Sequence, residues 1–157
     1  MTTTASARLT ELGLTLPPVA APVAAYVPAL RSGDLVFTSG QLPFIDGELP
    51  ATGKVGDGDS AAVTAEQAKD LARTATLNAL AAIDDLVGLD EVVQVVKVVG
   101  FVSSAAGFGG QPGVVNGASE LLGEVFGEAG AHARSAVGVA ELPLDSPVEV
   151  ELIVRVR

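Results

Sequence analysis

The last eleven residues, 147–157, most restrict what this chain can fold into. They read PVEVELIVRVR, with valine or leucine at every second position from Val148 to Val156 and mostly charged residues between them. Side chains of a β-strand point alternately to its two sides, so this spacing predicts a strand with one buried face. The chain therefore needs a sheet with a core on one side.

A second predicted strand, at 92–99 within EVVQVVKVVGFV, has apolar residues on both faces. Plain alternation points Val96 and Val98 one way and three valines the other way: Val93, Val95 and Val99. Helices can cover only one face of the sheet, so we expect the other to be buried against further copies of the chain. The alternative is that the short, proline-rich segments before residue 30 fold over that face.

Two helices are expected on the first face. Thr64 and Gln67 match a capping box, apolar residues recur at helical spacing from Ala68 to Leu86, and Gly88 can cap the end. The other predicted elements are an antiparallel pair at 25–31 and 35–41, a surface loop at 44–60, a glycine-rich loop at 105–113, a helix at about 113–128, and strands at 134–140 and 147–157.

Composition favours one folded domain, 1–157, with 1–20 as an N-terminal arm or short helix. Of the 157 residues 48% are hydrophobic, and 19 Asp and Glu against 9 Lys and Arg give a formal net charge of -10. This charge disfavours nucleic acid and acidic membrane surfaces as partners. No secretory signal or stretch of about 20 apolar residues is visible, and cysteine is absent, so we expect a cytoplasmic protein.

Common cofactor and metal motifs are not matched. GELPATGK has five residues between its glycines where a P-loop has four, and GFGGQPG has proline where the dinucleotide fingerprint has glycine. With one histidine and no cysteine, a zinc site is not expected, and no nucleophile-elbow sequence supports a serine triad around that histidine. We therefore predict neither a metal nor a cofactor.

The segment HARSAVGVAELP, residues 132–143, holds the only histidine and, two residues later, Arg134. A guanidinium at the entrance to an apolar strand is costly to desolvate alone, so Arg134 needs either a carboxylate partner or an anionic ligand. Glu149 or Glu151 could be that partner, and the sequence leaves both explanations open. Residues two apart in an extended segment face the same way, which puts His132 near Arg134.

Three segments together resemble the RidA (YjgF-like) family of reactive-intermediate deaminases. They are GDLVFTSGQLP near the start, EVVQVVKVVGFV in the middle, and ARSAVGVAELP followed by VEVELIV at the end. The resemblance covers nearly the whole chain from about Tyr26. It implies a chorismate mutase-like α/β (α+β) fold, one mixed sheet backed by two helices, assembled as a homotrimer with active sites in the clefts between subunits.

The resemblance also implies a function and a site. Family members hydrolyse enamines and imines derived from amino acids without a cofactor, and an arginine binds the substrate carboxylate. By motif, Arg134 and Glu149 are the expected catalytic pair, and Tyr26, Ser39 and Asn116 are expected to bind substrate. The other expected substrate-binding residues do not come from the motif: His132 is included as the neighbour of Arg134, and Ser135 and Ala136 for their backbone groups. Ala136 stands where the best-known members have cysteine.

Three functions follow as hypotheses. The leading one is cofactor-free hydrolysis of enamine or imine intermediates of a small carboxylate-bearing metabolite. The alternative is a non-catalytic protein that binds a small carboxylate in the same cleft. A ribonuclease or translation inhibitor fits less well, because single-strand readers use basic grooves with stacking aromatics and this chain has 4% aromatic residues.

Overall fold

The computed structural model of the chain describes residues 3–22 and 24–157. These residues form α1 (Ala5–Glu11), β1 (Ala29–Ser32), β2 (Leu35–Thr38), α2 (Ala65–Val87), β3 (Val92–Ser103), α3 (Gln111–Phe126), β4 (Ala133–Val139) and β5 (Val148–Val156). The strands make one sheet in the order β1-β2-β5-β3-β4, in which β3 and β4 are parallel and the other pairs antiparallel. A mixed sheet with two long helices packed on it confirms the predicted fold class.

The long helix α2 follows its sequence signals closely. Thr64 and Gln67 form a reciprocal capping box, and Gly88, at φ 87°, caps the far end. The side facing the sheet is largely alanine and fully buried, so α2 can lie close to its neighbours. Gly117 of α3 packs so tightly that a Cβ there would collide with the carbonyl oxygen of Lys69.

Strand β5 lies in the middle of the sheet between β2 and β3. Its five alternate residues from Val148 to Val156 are at most 2% exposed and face the helices. Glu149, Glu151, Ile153 and Arg155 lie on the other side and are partly or fully exposed. The alternation predicted from the sequence is therefore confirmed.

The predicted faces of β3 are wrong in its first half. Val95 and Val98 are both 0% exposed on the helix side, whereas Val96 is 37% exposed. The pairing of β3 with β5 shifts register between Val92 and Gln94 and again between Val95 and Lys97. Each bulge inserts one extra residue and so resets the alternation of the side chains.

The first hairpin is shorter than predicted. Strand β1 starts after Pro28, which has no N–H to donate, and β2 ends before Gly40. The turn is Gly33-Asp34, with Gly33 at φ 63°. The predicted loop at 44–60 contains no regular strand or helix, and α3 begins at Gln111, two residues earlier than expected, with Pro112 in its first turn.

The predicted N-terminal arm contains a short helix that is attached to the rest of the domain. The arm, 1–20, includes Met1 and Thr2, which lie outside the described residues, and α1 occupies its middle. Ser6 of α1 donates both its backbone N–H and its hydroxyl to the carboxylate of Asp90, at 2.8 and 2.7 Å. These hydrogen bonds hold the pKa of Asp90 below its usual value. The first helix is therefore attached to the turn before β3.

The face of the sheet opposite α2 and α3 is called the open face below. Apolar side chains remain exposed on it: Leu30 by 59%, Phe37 by 38% and Val137 by 42%. Leu30 pairs with Phe37 across β1 and β2, and Val137 pairs with Phe101 across β4 and β3. This face therefore carries apolar surface that one chain does not cover fully.

Candidate functional site

Arg134 lies in the edge strand β4 and points toward α3. Its Nη1 donates hydrogen bonds to Asn116 Oδ1 at 2.7 Å and to Ser119 Oγ at 3.2 Å, and its Nη2 donates to the carbonyl oxygen of Pro112 at 3.3 Å. All three acceptors are neutral. In the part of the chain that the structure describes, no carboxylate lies within 4.0 Å of this guanidinium. A salt bridge from Arg134 to Glu149 or Glu151 within one chain is therefore not formed.

The hydrogen bonds of Arg134 are unevenly distributed over its guanidinium group. A guanidinium has five N–H donors, and the three acceptors use both on Nη1 and one on Nη2. For Nε–H and the second hydrogen of Nη2, the described residues provide no acceptor. Nε and Nη2 form the edge that can bind a carboxylate through two parallel hydrogen bonds. The guanidinium is thus held at one end, with its charge uncompensated.

His132 joins the same group of side chains. Its Nε2 lies 2.9 Å from Ser119 Oγ, and its Nδ1 lies 2.5 Å from the carbonyl oxygen of Gly130. The prediction that His132 lies beside Arg134 is confirmed by this shared contact with Ser119. We call Asn116, Ser119, His132 and Arg134 the arginine cluster.

Ser119 was not among the residues predicted for the site. The signal was present, because Ser119 follows Asn116 by three positions in a predicted helix, and residues three apart lie on one helix face. Asn116 was assigned from the family motif alone. A search of α3 for polar residues on the same face would have found both.

Glu149 lies on the open face, away from the arginine cluster. It pairs with Phe101, whereas Arg134 pairs with Val98, which is buried against the helices. The Glu149 carboxylate packs directly on Gly40, where a Cβ would collide with its Oε1. Burial raises the pKa of Glu149, and the charge of Glu151 raises it further. A single chain thus keeps the two expected catalytic residues on opposite faces of the sheet.

Ser39 lies near Glu149 rather than near Arg134, because its neighbour Gly40 contacts the Glu149 carboxylate. Ser39 precedes Gly40, and its hydroxyl donates a 2.6 Å hydrogen bond to the carbonyl oxygen of Val27. That bond fixes the segment that carries Tyr26, whose side chain is 45% exposed. We call Glu149 and Ser39, with Tyr26 in the segment that Ser39 holds, the glutamate cluster.

The last two predicted residues lie on opposite sides of β4. Ser135 accepts a 3.1 Å hydrogen bond from Nζ of Lys97, whereas Ala136 packs against the core on the helix side. Lys97 was not predicted as a site residue, although it interrupts the valine run of β3. Since β4 is an edge strand, alternate backbone N–H and C=O groups point away from β3.

Two surface cavities lie elsewhere. One, of about 940 Å³, lies between α1, the end of α3 and Arg157, and another, of about 380 Å³, lies between α2 and α3 near Arg73. Neither is lined by a predicted site residue. Both are bordered by surface ion pairs, Arg8 with Glu11 in the first and Lys69 with Glu120 in the second, so these cations, unlike Arg134, already have carboxylate partners among the described residues. Among the described residues, no group of three or more His, Asp or Glu side chains could hold a metal ion, and no helix could cross a membrane.

A five-stranded mixed sheet with helices on one face is the chorismate mutase-like α+β fold. Residues 6–156 match the family described as "YjgF/chorismate mutase-like, putative endoribonuclease". The chain belongs to this YjgF/RidA family, as its motifs predicted.

Individual relatives place the chain within that family. It is 42% identical to Protein TCP17 of Trypanosoma cruzi over 154 residues, 97% of this chain and 94% of that protein. Atu1372 from Agrobacterium tumefaciens, a protein of unknown function, is 40% identical with a TM-score of 0.87, over 98% of this chain and 92% of that one. TdcF from E. coli, crystallised with bound serine, is 30% identical with a TM-score of 0.62, over 90% and 94%. The higher similarity to the first two indicates a divergent branch.

Proposed function

We propose that this protein hydrolyses small enamines or imines that carry a carboxylate, without a cofactor, and that Arg134 binds the carboxylate. The observation that carries the proposal is the hydrogen bonding of Arg134. Three neutral acceptors contact Nη1 and Nη2 of the guanidinium, and Nε–H and one N–H of Nη2 have no acceptor among the described residues. In a chain with a net charge of -10, a cation without a carboxylate partner favours an anionic ligand.

The chemistry requires few groups. An enamine tautomerises to an imine by gaining a proton on carbon and losing one from nitrogen. Water then adds to the imine carbon, and the resulting aminoalcohol expels ammonia and leaves a 2-oxo acid. Glu149 is suited to orient the water and transfer protons, because its raised pKa lies closer to neutrality than that of an exposed glutamate. The outward backbone groups of β4 near Ser135 and Ala136 can bind the reacting nitrogen.

We propose further that the site is completed between subunits of a homotrimer. Arg134 and Glu149 lie on opposite faces of the sheet in one chain, so the arginine cluster of one subunit would face the glutamate cluster of the next. The exposed apolar residues Leu30, Phe37 and Val137 support burial of the open face against another copy. TdcF, a relative with a small carboxylate in its crystal, supports the ligand class.

The test is a direct assay with a freshly generated substrate. An amino-acid oxidase acting on L-leucine or L-methionine produces a 2-imino acid, and the protein is added while formation of the 2-oxo acid is recorded. We expect the 2-oxo acid to form faster with the protein than without it. Protein in which Arg134 is replaced by alanine should give no such acceleration. Binding of pyruvate without any acceleration across a panel of imino acids would favour the non-catalytic carboxylate-binding alternative.

The ribonuclease named in the family description is a weaker candidate here. The arginine cluster contributes one permanent cation, and the net charge of -10 opposes an RNA backbone. Salt-dependent binding of single-stranded RNA at physiological ionic strength would contradict our preference. The absence of cysteine leads us to propose a cytoplasmic location for the reaction.

A further inference from the structure

The arginine cluster contains a chain of hydrogen bonds whose directions can be assigned. The carbonyl oxygen of Gly130 can only accept, so Nδ1 of His132, at 2.5 Å, carries a hydrogen. At the other end the Arg134 guanidinium can only donate, so Ser119 Oγ accepts from Nη1 at 3.2 Å. In a neutral His132, Nε2 is then an acceptor, and the Ser119 hydroxyl donates to it at 2.9 Å.

The groups around His132, at one end of this series of hydrogen bonds, are themselves held in place. Gly130 packs so closely on α3 that a Cβ would collide with the carbonyl oxygen of Leu122. The side-chain amide of Gln94 in β3 donates to the carbonyl oxygens of Ala129 and Ala131, on either side of Gly130. The carbonyl that orients His132 therefore belongs to a turn held from both the helix and the sheet.

We infer that Ser119 and His132 are positioning residues that hold Arg134 with its Nε–Nη2 edge open to a carboxylate. Donation to His132 fixes the rotamer of the Ser119 hydroxyl and directs an oxygen lone pair at Nη1. Because Ser119 and Asn116 are both uncharged, they orient the guanidinium without neutralising its charge. A glutamate in the same place would neutralise it. This inference rests on the proposed function only in that a carboxylate is the ligand.

The single histidine makes the first measurement unambiguous. Nitrogen-15 NMR of the wild-type protein should show one imidazole with its hydrogen on Nδ1 and with Nε2 as an acceptor, the tautomer that is the minor one in free histidine. In Ser119→Ala the hydrogen should stay on Nδ1, because the Gly130 carbonyl oxygen still accepts from it, but the Nε2 resonance should shift because Nε2 has lost the hydrogen bond from Ser119. An imidazole protonated on Nε2 in the wild-type protein would overturn the inference without any variant being needed.

The second measurement is affinity for pyruvate, a stable 2-oxo acid, by NMR titration. We expect Ser119→Ala and His132→Ala each to weaken binding by roughly three- to tenfold, the size of one neutral hydrogen bond. The double variant should bind pyruvate no more weakly than the more affected single variant, because both changes break the same series of hydrogen bonds. His132→Gln keeps an acceptor for Ser119 and should bind within about twofold of wild type.

Controls separate this inference from the proposed function. Thr74→Ala removes a helical hydroxyl that bonds within α2 and should leave binding unchanged. Wild-type affinity retained in both Ser119→Ala and His132→Ala would overturn the positioning role while the carboxylate site stands. Additive losses in the double variant would also overturn it. No binding of pyruvate by the wild-type protein would instead reject the carboxylate site and the positioning role together.

Discussion

The arginine cluster and the glutamate cluster are built in opposite ways. Around Arg134, two residues of α3 and one before β4 are joined by hydrogen bonds of 2.7 to 3.2 Å. Around Glu149 the carboxylate packs on Gly40 and has no hydrogen-bond donor among the described residues. The first cluster is organised within one chain. The second is partly buried without a hydrogen-bond donor in the described part of the chain, and in the proposed trimer it is the part of the site that another subunit would complete.

The largest effect should come from removing the guanidinium. Arg134→Ala is expected to weaken pyruvate binding by about 2 to 5 kcal/mol, and Arg134→Lys by less, because lysine lacks the planar edge. Since no ion pair holds Arg134 in the described part of the chain, the melting temperature should change little. The matched control is Arg73→Ala, which breaks the surface ion pair with Glu124 and should leave binding intact. Unfolding of Arg134→Ala with undiminished affinity in the folded fraction would mean that the cluster is structural.

A change in the glutamate cluster should reduce turnover and leave binding nearly unchanged, in contrast to the loss of binding expected for Arg134→Ala. If Glu149 orients water and transfers protons, Glu149→Gln should lower kcat by roughly a hundredfold or more while pyruvate affinity stays within about twofold. Steady-state kinetics on a generated imino acid, beside a binding titration, checks this division between the two clusters. Unchanged turnover would assign Glu149 a structural role only.

In the proposed trimer, assembly brings the two clusters together. Val137→Asp places a charge on the open face and should convert a trimer into monomers, measured by light scattering, with loss of turnover. Leu86→Asp is the matched control, since Leu86 is 44% exposed at the end of α2, on the other side of the sheet. A wild-type protein that is monomeric at micromolar concentration would break the proposal that one subunit completes the site of another.

The sequence predicted the features that depend on residues close together in the chain, and it missed those that depend on the pairing of distant segments. The capping box of α2 and the alternation of β5 involve neighbouring residues, so both were predicted correctly, as was the proximity of His132 to Arg134. The bulges in β3 depend on how two distant segments pair, and the valines on both sides give no sign of an extra residue. The same holds for the separation of Arg134 from Glu149, because it depends on the register of β4 against β3.

The smallest expected effect is a pH-dependent change in stability caused by the partly buried carboxyl group of Glu149 in a single chain. Burial and Glu151 raise the folded-state pKa of Glu149 above its value in the unfolded chain, about 4.3. The folded state therefore prefers the protonated carboxyl. Below about pH 4.3 both states are protonated and the stabilisation is complete, and as the pH rises through the raised pKa it is lost.

Glutamine has no such loss, so Glu149→Gln should be more stable than the parent at pH 7, and the difference should shrink toward zero near pH 4. Denaturant unfolding from pH 4 to 8 measures it, best in the Val137→Asp background, where no second subunit covers the carboxylate. The control Glu48→Gln changes an exposed loop carboxylate and should give a flat difference. A glutamine variant less stable than the parent at pH 7 would mean that the Glu149 carboxylate already has favourable partners in the single chain. The contrast between an organised arginine cluster and an incomplete glutamate cluster would then be lost, because both would be complete before assembly.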